Sequence, residues 1–408
     1  MPRVKVSSIE SKGRSPFYPD QPVPVELFRG RSNEIEHILR RGAGQVVEGK
    51  PVTMFIEGEY GIGKSSIAAF TQWIAEKDYG LHGIYCSLGT AKSLEDVAEK
   101  ILTAIIRSGA YNASRGEKLR NWLSRYIGEQ KLFGFSLNLN QLKADVPNFI
   151  STDSLLDFFQ ETIARLASTG IRGIFLVLDE INGISSNIDF AHFLKGLVDM
   201  NALRQPQVPL LMLLCGVQER RQEIIRLHEP VGRIFEIISI HQMTFEEMRD
   251  FYQYSFNSVG ISVTEDAMQL ITEYAAGFPK IMHLIGNAAF WHDEDKTIDA
   301  HDASNAIFSA AEDVGNKYVD QQVYKALRSK DYRSILKKIA ETGMEMSFTR
   351  SEIIKGLSDS ERKKFDNFLR KMKSLQVIKS GELSGEYRFI VRMVRLYIWL
   401  QSGGVKGE

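Results

Sequence analysis

The chain has 408 residues, more than one ordinary domain holds, so its length predicts two or three domains. Hydrophobic residues make up 43% of it and charged residues 25%, which is typical of a soluble globular protein with a sizeable core. The 51 basic residues balance the 51 acidic ones, so the net charge provides no general attraction to nucleic acid or to an anionic membrane.

Cysteine content and hydropathy exclude further classes of protein. Cys86 and Cys215 both lie in apolar runs typical of strands, where we expect buried free thiols rather than a disulfide framework or a zinc site. The first residues have no apolar core and are not typical of a secretory signal. The longest apolar run, residues 208–217, is shorter than the ~20 residues that cross a bilayer. The sequence therefore predicts a cytoplasmic protein that does not enter a membrane.

Short apolar runs separated by helical spacing dominate the first part of the chain. Residues 1–27 are polar and then Pro-rich, which indicates an extended lead-in rather than a domain. The apolar runs are residues 52–56, 83–87, 173–179, 209–215 and 234–239. Strands that alternate with helices predict an α/β core with a doubly wound parallel sheet, which we assign to residues 28–243. Residues 133–140 alternate apolar and polar side chains, which predicts an inserted strand or hairpin of no assignable role.

After residue 243 the pattern is helical. Thr244 and Glu247 match a capping box, and Thr264 and Asp302 are expected to cap later helices. We predict a small helical lid domain over residues 244–324. Residues 325–408 show helical segments, a short hairpin near Gly381 and an apolar C-terminal helix, and this order predicts a winged-helix domain.

A P-loop lies between the first predicted strand and the next helix. Its residues are Gly58, Glu59, Tyr60, Gly61, Ile62, Gly63, Lys64 and Ser65, and Ser66 follows in the helix. The glycines let backbone N–H groups turn towards phosphate oxygens, and the helix N-terminus adds partial positive charge. We expect Lys64 to reach the β- and γ-phosphates of ATP and the Ser65 hydroxyl to coordinate Mg²⁺. The alternative is a chance match in a strand–turn–helix.

Two acidic residues, Asp179 and Glu180, follow the third apolar run. The carboxyl end of a parallel strand faces the crevice where α/β sheets bind ligands. We expect Asp179 to hold Mg²⁺, directly or through water, and Glu180 to act as general base on a water in line with the γ-phosphate. The alternative is a solvated acidic turn. The pair favours hydrolysis, because nucleotide binding alone does not need the second acid.

Basic residues elsewhere are candidates for contact with the γ-phosphate. Arg233 precedes the fifth predicted strand and could act on the nucleotide of a neighbouring subunit in a homo-oligomer, although a salt bridge accounts for it equally well. Arg220 and Arg221 are weaker candidates, because the pattern places them on the exposed face of a helix start. Lys280 follows residues 277–279 at a helix start, where it could fold over the nucleotide or be an ordinary exposed lysine.

The C-terminal part has the local charge that the whole chain lacks. Residues 325–400 contain 18 basic and 9 acidic residues, a net charge of +9. Six of the cations lie on one predicted helix: Arg362, Lys363, Lys364, Arg370, Lys371 and Lys373. This helix could enter a groove of duplex DNA, or it could be the solvated face of a domain that binds a protein partner. The eight histidines have no metal-ligand spacing, so we assign them no metal role.

Several of these segments together resemble AAA+ and STAND-type ATPases, above all the archaeal and bacterial ATPases related to origin-recognition-like initiators. The segments are the F-x-G-R-x-x-E-[IL] box at residues 28–35, the P-loop, residues 178–180, residues 277–280 and the tail at residues 385–397. The resemblance covers most of residues 25–400. It implies ATP and Mg²⁺ as cofactors, a central P-loop strand separated from the acid-pair strand by another strand, and a loop around Phe28 that packs near the adenine.

The sequence departs from the family pattern at both sensor positions. The second sensor, usually arginine, is Lys280, a point charge without a bidentate fork. The first has no clear match after the fourth strand, where Gln218 is the nearest polar candidate. Both departures are compatible with a slow nucleotide switch. Two functions stay open: an ATPase that binds DNA through a winged helix, and a STAND-type signalling ATPase whose C-terminal domain binds a protein. A third, a nucleotide-binding structural subunit without turnover, is disfavoured by Glu180.

Overall fold

The structure is a computed structural model that describes residues 12–19, 23–108, 152–315, 319, 323, 325, 327–342, 346–375, 377–381, 383–390 and 392–401. The insertion predicted at residues 133–140 lies outside the described residues. The chain divides into two compact units, Pro24–His241 and a unit that joins Met1–Val23 to Gln242–Glu408. The predicted division into lead-in, core, lid and winged helix is finer than this and stays a prediction. Within the described ranges, no helix is both long and apolar enough to span a bilayer.

A five-stranded parallel sheet forms the middle of the first unit. Its strands are β1 (Val52–Gly58), β2 (Leu81–Ser87), β3 (Gly173–Asp179), β4 (Leu210–Gly216) and β5 (Glu236–Ile240). They lie in the order β2-β3-β4-β1-β5, and each neighbouring pair is parallel. β4 therefore separates the P-loop strand from the acid-pair strand, which confirms the order that the resemblance implied.

Burial along the strands accounts for the apolar runs in the sequence. Every residue of β3 and of β4 is buried, as expected for parallel strands covered on both faces. The edge strand β5 alternates instead, with Ile238 and Ile240 buried and Ile237 exposed. The predicted strands agree with the observed ones to within two residues at either end.

Helices connect the strands and enclose the core. They span Ser32–His37, Gly44–Val47, Lys64–Asp78, Leu94–Ser108, Thr152–Leu166, Ile188–Leu203 and Gln218–Leu227, with a π-helical stretch at Ile38–Ala43. The core includes Phe55 of β1 together with Phe158, Phe159 and Phe190 of the connecting helices. The carboxyl ends of the parallel strands meet at one edge of the sheet, where the P-loop and the acid pair begin.

Four helices follow the sheet, in the second unit: Phe245–Asn257, Glu265–Ala275, Pro279–His292 and Ala300–Val314. The short strands β6 (Ser262–Val263) and β7 (Thr297–Ile298) pair between them. Thr244 and Glu247 form the predicted capping box, and Thr264 caps the second helix. The expectation for Asp302 was wrong. Asp299 is the cap, and Asp302 is the third helical residue, whose carboxylate accepts the Asp299 N–H.

The described part of the lead-in packs on these helices. Phe17 is 4% exposed, and its ring centroid lies 4.8 Å from that of Phe256 and 6.2 Å from that of His283. The N–H of Tyr18 donates to His283 Nδ1 at 3.1 Å. Burial lowers the pKa of His283 to about 4, so the ring is neutral and can accept this bond at ordinary pH. Gly286 leaves room for Phe17, because a Cβ at this position would lie 2.3 Å from the ring.

The last described elements are helix Lys330–Glu341, β8 (Ser347–Thr349), helices Arg350–Lys355 and Asp359–Ser374, β9 (Ile378–Ser380), β10 (Glu386–Phe389) and helix Arg392–Gln401. β10 pairs antiparallel with both β8 and β9. β8 was not predicted from the sequence. Arg395 is 1% exposed; its guanidinium lies over the Phe389 ring and donates to the Ile339 carbonyl at 3.0 Å. It therefore fastens the C-terminal helix to the end of helix Lys330–Glu341.

Candidate nucleotide-binding site

The P-loop turns sharply at the carboxyl end of β1. Gly61 and Gly63 have φ values of 78° and 99°, in the left-handed region that favours glycine. Gly63 is the N-cap of helix Lys64–Asp78 and has no side chain to satisfy the first N–H groups, which leaves them suited to an anion. At Gly58 the restriction is steric, because a Cβ there would lie 2.8 Å from the carbonyl oxygen of Ile240 in β5.

Lys64 folds back over the P-loop. Its Nζ donates to the carbonyl oxygens of Gly58 at 2.9 Å and of Glu59 at 2.8 Å. Burial lowers the pKa of Lys64, and the nearby charge of Asp179 opposes this shift. Charge-assisted bonds to phosphate are stronger than bonds to neutral carbonyls, so phosphate oxygens would compete for this ammonium group. The position of Lys64 fits its predicted role.

Asp179 ends β3 and is 5% exposed. Its Oδ2 accepts a hydrogen bond from the Tyr85 hydroxyl at 2.5 Å, and its Oδ1 accepts from the Glu180 N–H at 2.8 Å. The Tyr85 hydroxyl also lies 3.5 Å from the carbonyl oxygen of Ser65. One phenol therefore contacts both residues that were predicted to hold the metal. Sequence analysis missed Tyr85, whose only signal was its place in the second apolar run.

The oxygens at this edge of the sheet fit a magnesium ion. Mg²⁺ prefers oxygen ligands and is usually held by one or two carboxylates together with substrate phosphates and waters. The Ser65 hydroxyl and the Asp179 carboxylate provide such oxygens beside the P-loop. In the part of the chain that the structure describes, no three His, Cys, Asp or Glu side chains cluster into a metal site. Phosphate oxygens and waters would complete the coordination of a metal bound here.

Glu180 follows with φ of 56°, a left-handed conformation that is uncommon outside glycine. Its Oε2 accepts a hydrogen bond from the hydroxyl of Ser87 at 2.9 Å, and Ser87 pairs in register with Asp179. Gly89 lies against the same carboxylate, since a Cβ there would come within 2.6 Å of Oε2. Glu180 is thus exposed to solvent and yet held in place by residues at and after the end of β2.

A second buried carboxylate lies directly before the P-loop. Glu57 accepts hydrogen bonds from Arg221 Nε at 2.7 Å and from Ser239 Oγ at 3.1 Å. The expectation that Arg221 lies on an exposed helix face was wrong: its side chain is 14% exposed because it pairs with Glu57, itself 11% exposed. Removing either partner would leave a largely buried charge unpaired, so the pair fastens helix Gln218–Leu227 to β1.

The segment before helix Ser32–His37 packs beside the P-loop. A guanidinium nitrogen of Arg31 donates to the Ile62 carbonyl at 3.4 Å. Phe28 stacks on Phe70 of the P-loop helix, with ring centroids 4.5 Å apart and an interplanar angle of 12°. Trp73 continues this aromatic row at 6.1 Å from Phe70. Phe28 therefore lies next to the P-loop helix, and its place near an adenine stays a prediction.

The remaining candidates are Arg233, Gln218, Arg220 and Lys280. Arg233 ends the 3₁₀-helix Glu229–Arg233 and is exposed. Gln218 is exposed at the start of helix Gln218–Leu227, and Arg220 pairs with Glu223 at 2.9 Å. Lys280 is the second residue of helix Pro279–His292, in the second unit. Arg233 and Lys280 stay predictions.

Solved structures, rather than sequence relatives, resemble this chain. No family model and no curated protein matches it. The Walker-type ATPase PABY2304 of Pyrococcus abyssi has a TM-score of 0.59 at 16% identity, over 91% of this chain and 96% of that one. The ORC2 protein of Aeropyrum pernix, solved as ADPNP–ADP complexes, has a TM-score of 0.57 at 15% identity, over 92% and 94%. The chain has the fold of the origin-recognition-like AAA+ ATPases.

At these sequence identities the likeness establishes the AAA+ fold alone. Any reaction has to be inferred from the residues of this chain. The AAA+ sheet brings the P-loop and the acid pair of this chain to the same edge, where open α/β sheets bind their ligands. The residues that hold the acid pair, Tyr85, Ser87 and Gly89, belong to β2 and the turn after it.

A methyl group at Gly89 tests whether the position of Glu180 matters. The new Cβ would lie 2.6 Å from Glu180 Oε2, so Gly89→Ala should displace the carboxylate. We expect ATP turnover to fall by about tenfold or more, the range for a misplaced general base, with ATP affinity almost unchanged. Gly44→Ala is the control, because its Cβ would lie 3.4 Å from the nearest atom. Unchanged turnover in Gly89→Ala would contradict the assigned role of Glu180.

Proposed function

We propose that the protein binds ATP with Mg²⁺, hydrolyses it to ADP and phosphate, and works as a nucleotide-driven molecular switch. The observation that carries the proposal is the meeting of the P-loop, Asp179 and Glu180 at one edge of the sheet, with the Tyr85 hydroxyl in contact with Asp179 and Ser65. The AAA+ fold, shared with a protein solved as ADPNP–ADP complexes, supports nucleotide as the ligand.

Each residue at the edge has a role in the proposed reaction. Lys64 exchanges the carbonyl oxygens of the loop for β- and γ-phosphate oxygens, and the P-loop N–H groups bind the remaining phosphate oxygens. The Ser65 hydroxyl and the Asp179 carboxylate hold Mg²⁺, which supplies charge neutralisation on the phosphates when bound. Glu180 accepts the proton of the water that attacks the γ-phosphorus, and ADP leaves with the electrons of the broken bond.

Three further residues complete the proposed switch. Phe28 packs near the adenine, and Lys280 reports the γ-phosphate to the helical lid. The exposed Arg233 acts on the nucleotide of a neighbouring subunit, where its guanidinium stabilises the charge of the transition state. Since Lys280 has no bidentate fork and the residue after β4 offers no clear polar sensor, we expect slow hydrolysis.

Replacing Glu180 by glutamine separates binding from chemistry. Glu180→Gln keeps the size of the side chain and removes the base, so ATP affinity should stay within about threefold while phosphate release falls by about 10²- to 10⁴-fold. Fluorescent-nucleotide titration and a phosphate-release assay measure the two quantities. Lys64→Ala is the companion variant and should lose nucleotide binding itself. Equal hydrolysis by the wild type and Glu180→Gln would contradict the general-base assignment. If the wild type binds ATP and does not hydrolyse it, the protein is a nucleotide-binding structural subunit.

We further propose that residues 325–408 form a winged-helix domain through which the switch associates with duplex DNA. The order helix, β8, two helices and the β9–β10 hairpin supports this assignment. On helix Asp359–Ser374 the apolar side chains Phe365, Phe368, Leu369 and Met372 are buried, which leaves the basic side chains exposed. This helix is the one expected to enter a DNA groove.

Five of the six cations of this helix divide into two groups, and the sixth, Lys363, is exposed. Three bond within the domain: Arg362 to the Ile354 carbonyl at 3.2 Å, Lys364 to Asp331 at 2.6 Å, and Lys373 to Ser380 at 2.7 Å. The other group is Arg370 and Lys371, which line an open hollow of about 380 Å³ together with Tyr332, Asn367 and Ser374. Arg370 bonds to the Asn367 amide oxygen of its own helix, whereas the first three bond to other segments of the domain. We therefore expect Arg370 and Lys371, which line the hollow, to contact a phosphate there.

This division provides a matched test of DNA binding. The double variant Arg370→Ala, Lys371→Ala should weaken duplex binding and make the slope of log K against log salt shallower by about 1.8, for two lost phosphate contacts. Lys364→Ala, Lys373→Ala removes the same charge from the same helix and should change binding far less. Fluorescence anisotropy over a salt series, with ATP present, measures both.

Equal losses in the two double variants would mean that only net charge matters. No binding of duplex DNA by the wild type at low salt would contradict the DNA proposal. It would then favour the second candidate, a STAND-type signalling ATPase whose C-terminal domain binds a protein partner. The neutral net charge of the whole chain is the observation that keeps this candidate open.

A further inference from the structure

Tyr85 lies in neither the P-loop nor the acid pair, yet it contacts both. We propose that Tyr85 is a positioning residue that orients the Asp179 carboxylate for the metal ion and sets the Mg²⁺ requirement of the enzyme. The inference rests on the proposed ATPase function and adds to it a residue on β2 that acts through Asp179.

The carboxylate of Asp179 is held by a donor on each of its oxygens. Oδ1 accepts the N–H of Glu180 at 2.8 Å, which any residue at position 180 except proline could provide. Oδ2 accepts the Tyr85 hydroxyl at 2.5 Å, and only the side chain provides this bond. Each carboxylate oxygen has two lone pairs, so Oδ2 can accept this bond and still face a metal or its water. The phenol thus selects one rotation of the carboxylate without using up its capacity to bind.

The strand pairing places the phenol at this point. Tyr85 is in register with Val177 of β3, two residues before Asp179, and the sheet is parallel. The ring is half-buried, and its hydroxyl lies 3.5 Å from the Ser65 carbonyl in the first turn of the P-loop helix. A single side chain therefore spans the two elements that carry the candidate metal ligands, the end of β3 and the start of the helix.

The Tyr85 hydroxyl acts on Asp179 as a hydrogen-bond donor. A protonated phenol does not compete with Asp179 for a cation. Its contribution is therefore directional, and its loss should appear in metal binding before it appears in nucleotide binding.

Tyr85→Phe removes the hydroxyl and keeps the ring. We expect the Mg²⁺ concentration that gives half-maximal ATP hydrolysis to rise by about tenfold, the size expected for the loss of one charge-assisted hydrogen bond. ADP binding in EDTA should stay within about twofold of the wild type, because the P-loop and Lys64 are unchanged. In an Asp179→Asn background the same change should have almost no further effect on the Mg²⁺ requirement, since the group that Tyr85 orients is then altered.

Tyr252→Phe is the control for the loss of a buried phenol. The Tyr252 hydroxyl donates to the Met282 carbonyl at 3.1 Å in the second unit, so its removal should lower thermal stability and leave the Mg²⁺ requirement unchanged. If Tyr85→Phe does not fold, Tyr85→Leu, which also removes the hydroxyl, takes its place and should raise the Mg²⁺ requirement in the same direction.

The possible results separate this inference from the function on which it rests. If the wild type hydrolyses ATP only with Mg²⁺ and Tyr85→Phe has the same Mg²⁺ requirement, the inference is overturned and the ATPase stands. If Tyr85→Phe weakens ADP binding in EDTA by as large a factor as it raises the Mg²⁺ concentration for half-maximal hydrolysis, Tyr85 merely supports the P-loop, and the inference is again overturned. A wild type whose nucleotide binding and turnover ignore Mg²⁺ would contradict the proposed function itself.

Discussion

A carboxylate that is buried at the end of a β-strand must be hydrogen-bonded or paired with a cation, because an isolated charge away from water is costly. Asp179 meets this condition with the phenol of Tyr85, the backbone of Glu180 and the positive field of the nearby Lys64. The same bonds bring β2, β3 and the P-loop helix to one point. The geometry proposed for catalysis is thus also the geometry that makes a buried aspartate tolerable.

The sheet and the P-loop could be predicted because their signals are local. The apolar runs at β3 and β4 are buried along their whole length, and a short, continuous apolar run is typical of a parallel strand with both faces covered. The P-loop needs glycines at Gly61 and Gly63 for their φ values, so composition and geometry coincide within eight residues. The order of the strands came from the resemblance to AAA+ ATPases, since periodicity alone does not say which strands are neighbours.

The partners of the acid pair could not be predicted, because they depend on contacts between distant parts of the chain. Tyr85 and Asp179 are 94 positions apart, and Glu57 and Arg221 are 164 apart. The sequence around a single tyrosine in a strand, or one arginine on a helix, does not indicate which distant residue the side chain contacts. This is why Arg221 was expected to be exposed. The error at Asp302 was of another kind, since two acidic residues near a helix start compete for the cap and only the backbone decides.

The hydrogen bonds of Lys64 report most directly whether this edge of the sheet binds nucleotide. It now donates to the carbonyl oxygens of Gly58 and Glu59, bonds that a phosphate would displace. A crystal structure of the protein grown with ADPNP and Mg²⁺ should show Lys64 on the β- and γ-phosphates and the metal beside Ser65 and Asp179. Lys64 still bonded to its own loop, with the nucleotide bound elsewhere or not at all, would contradict the account.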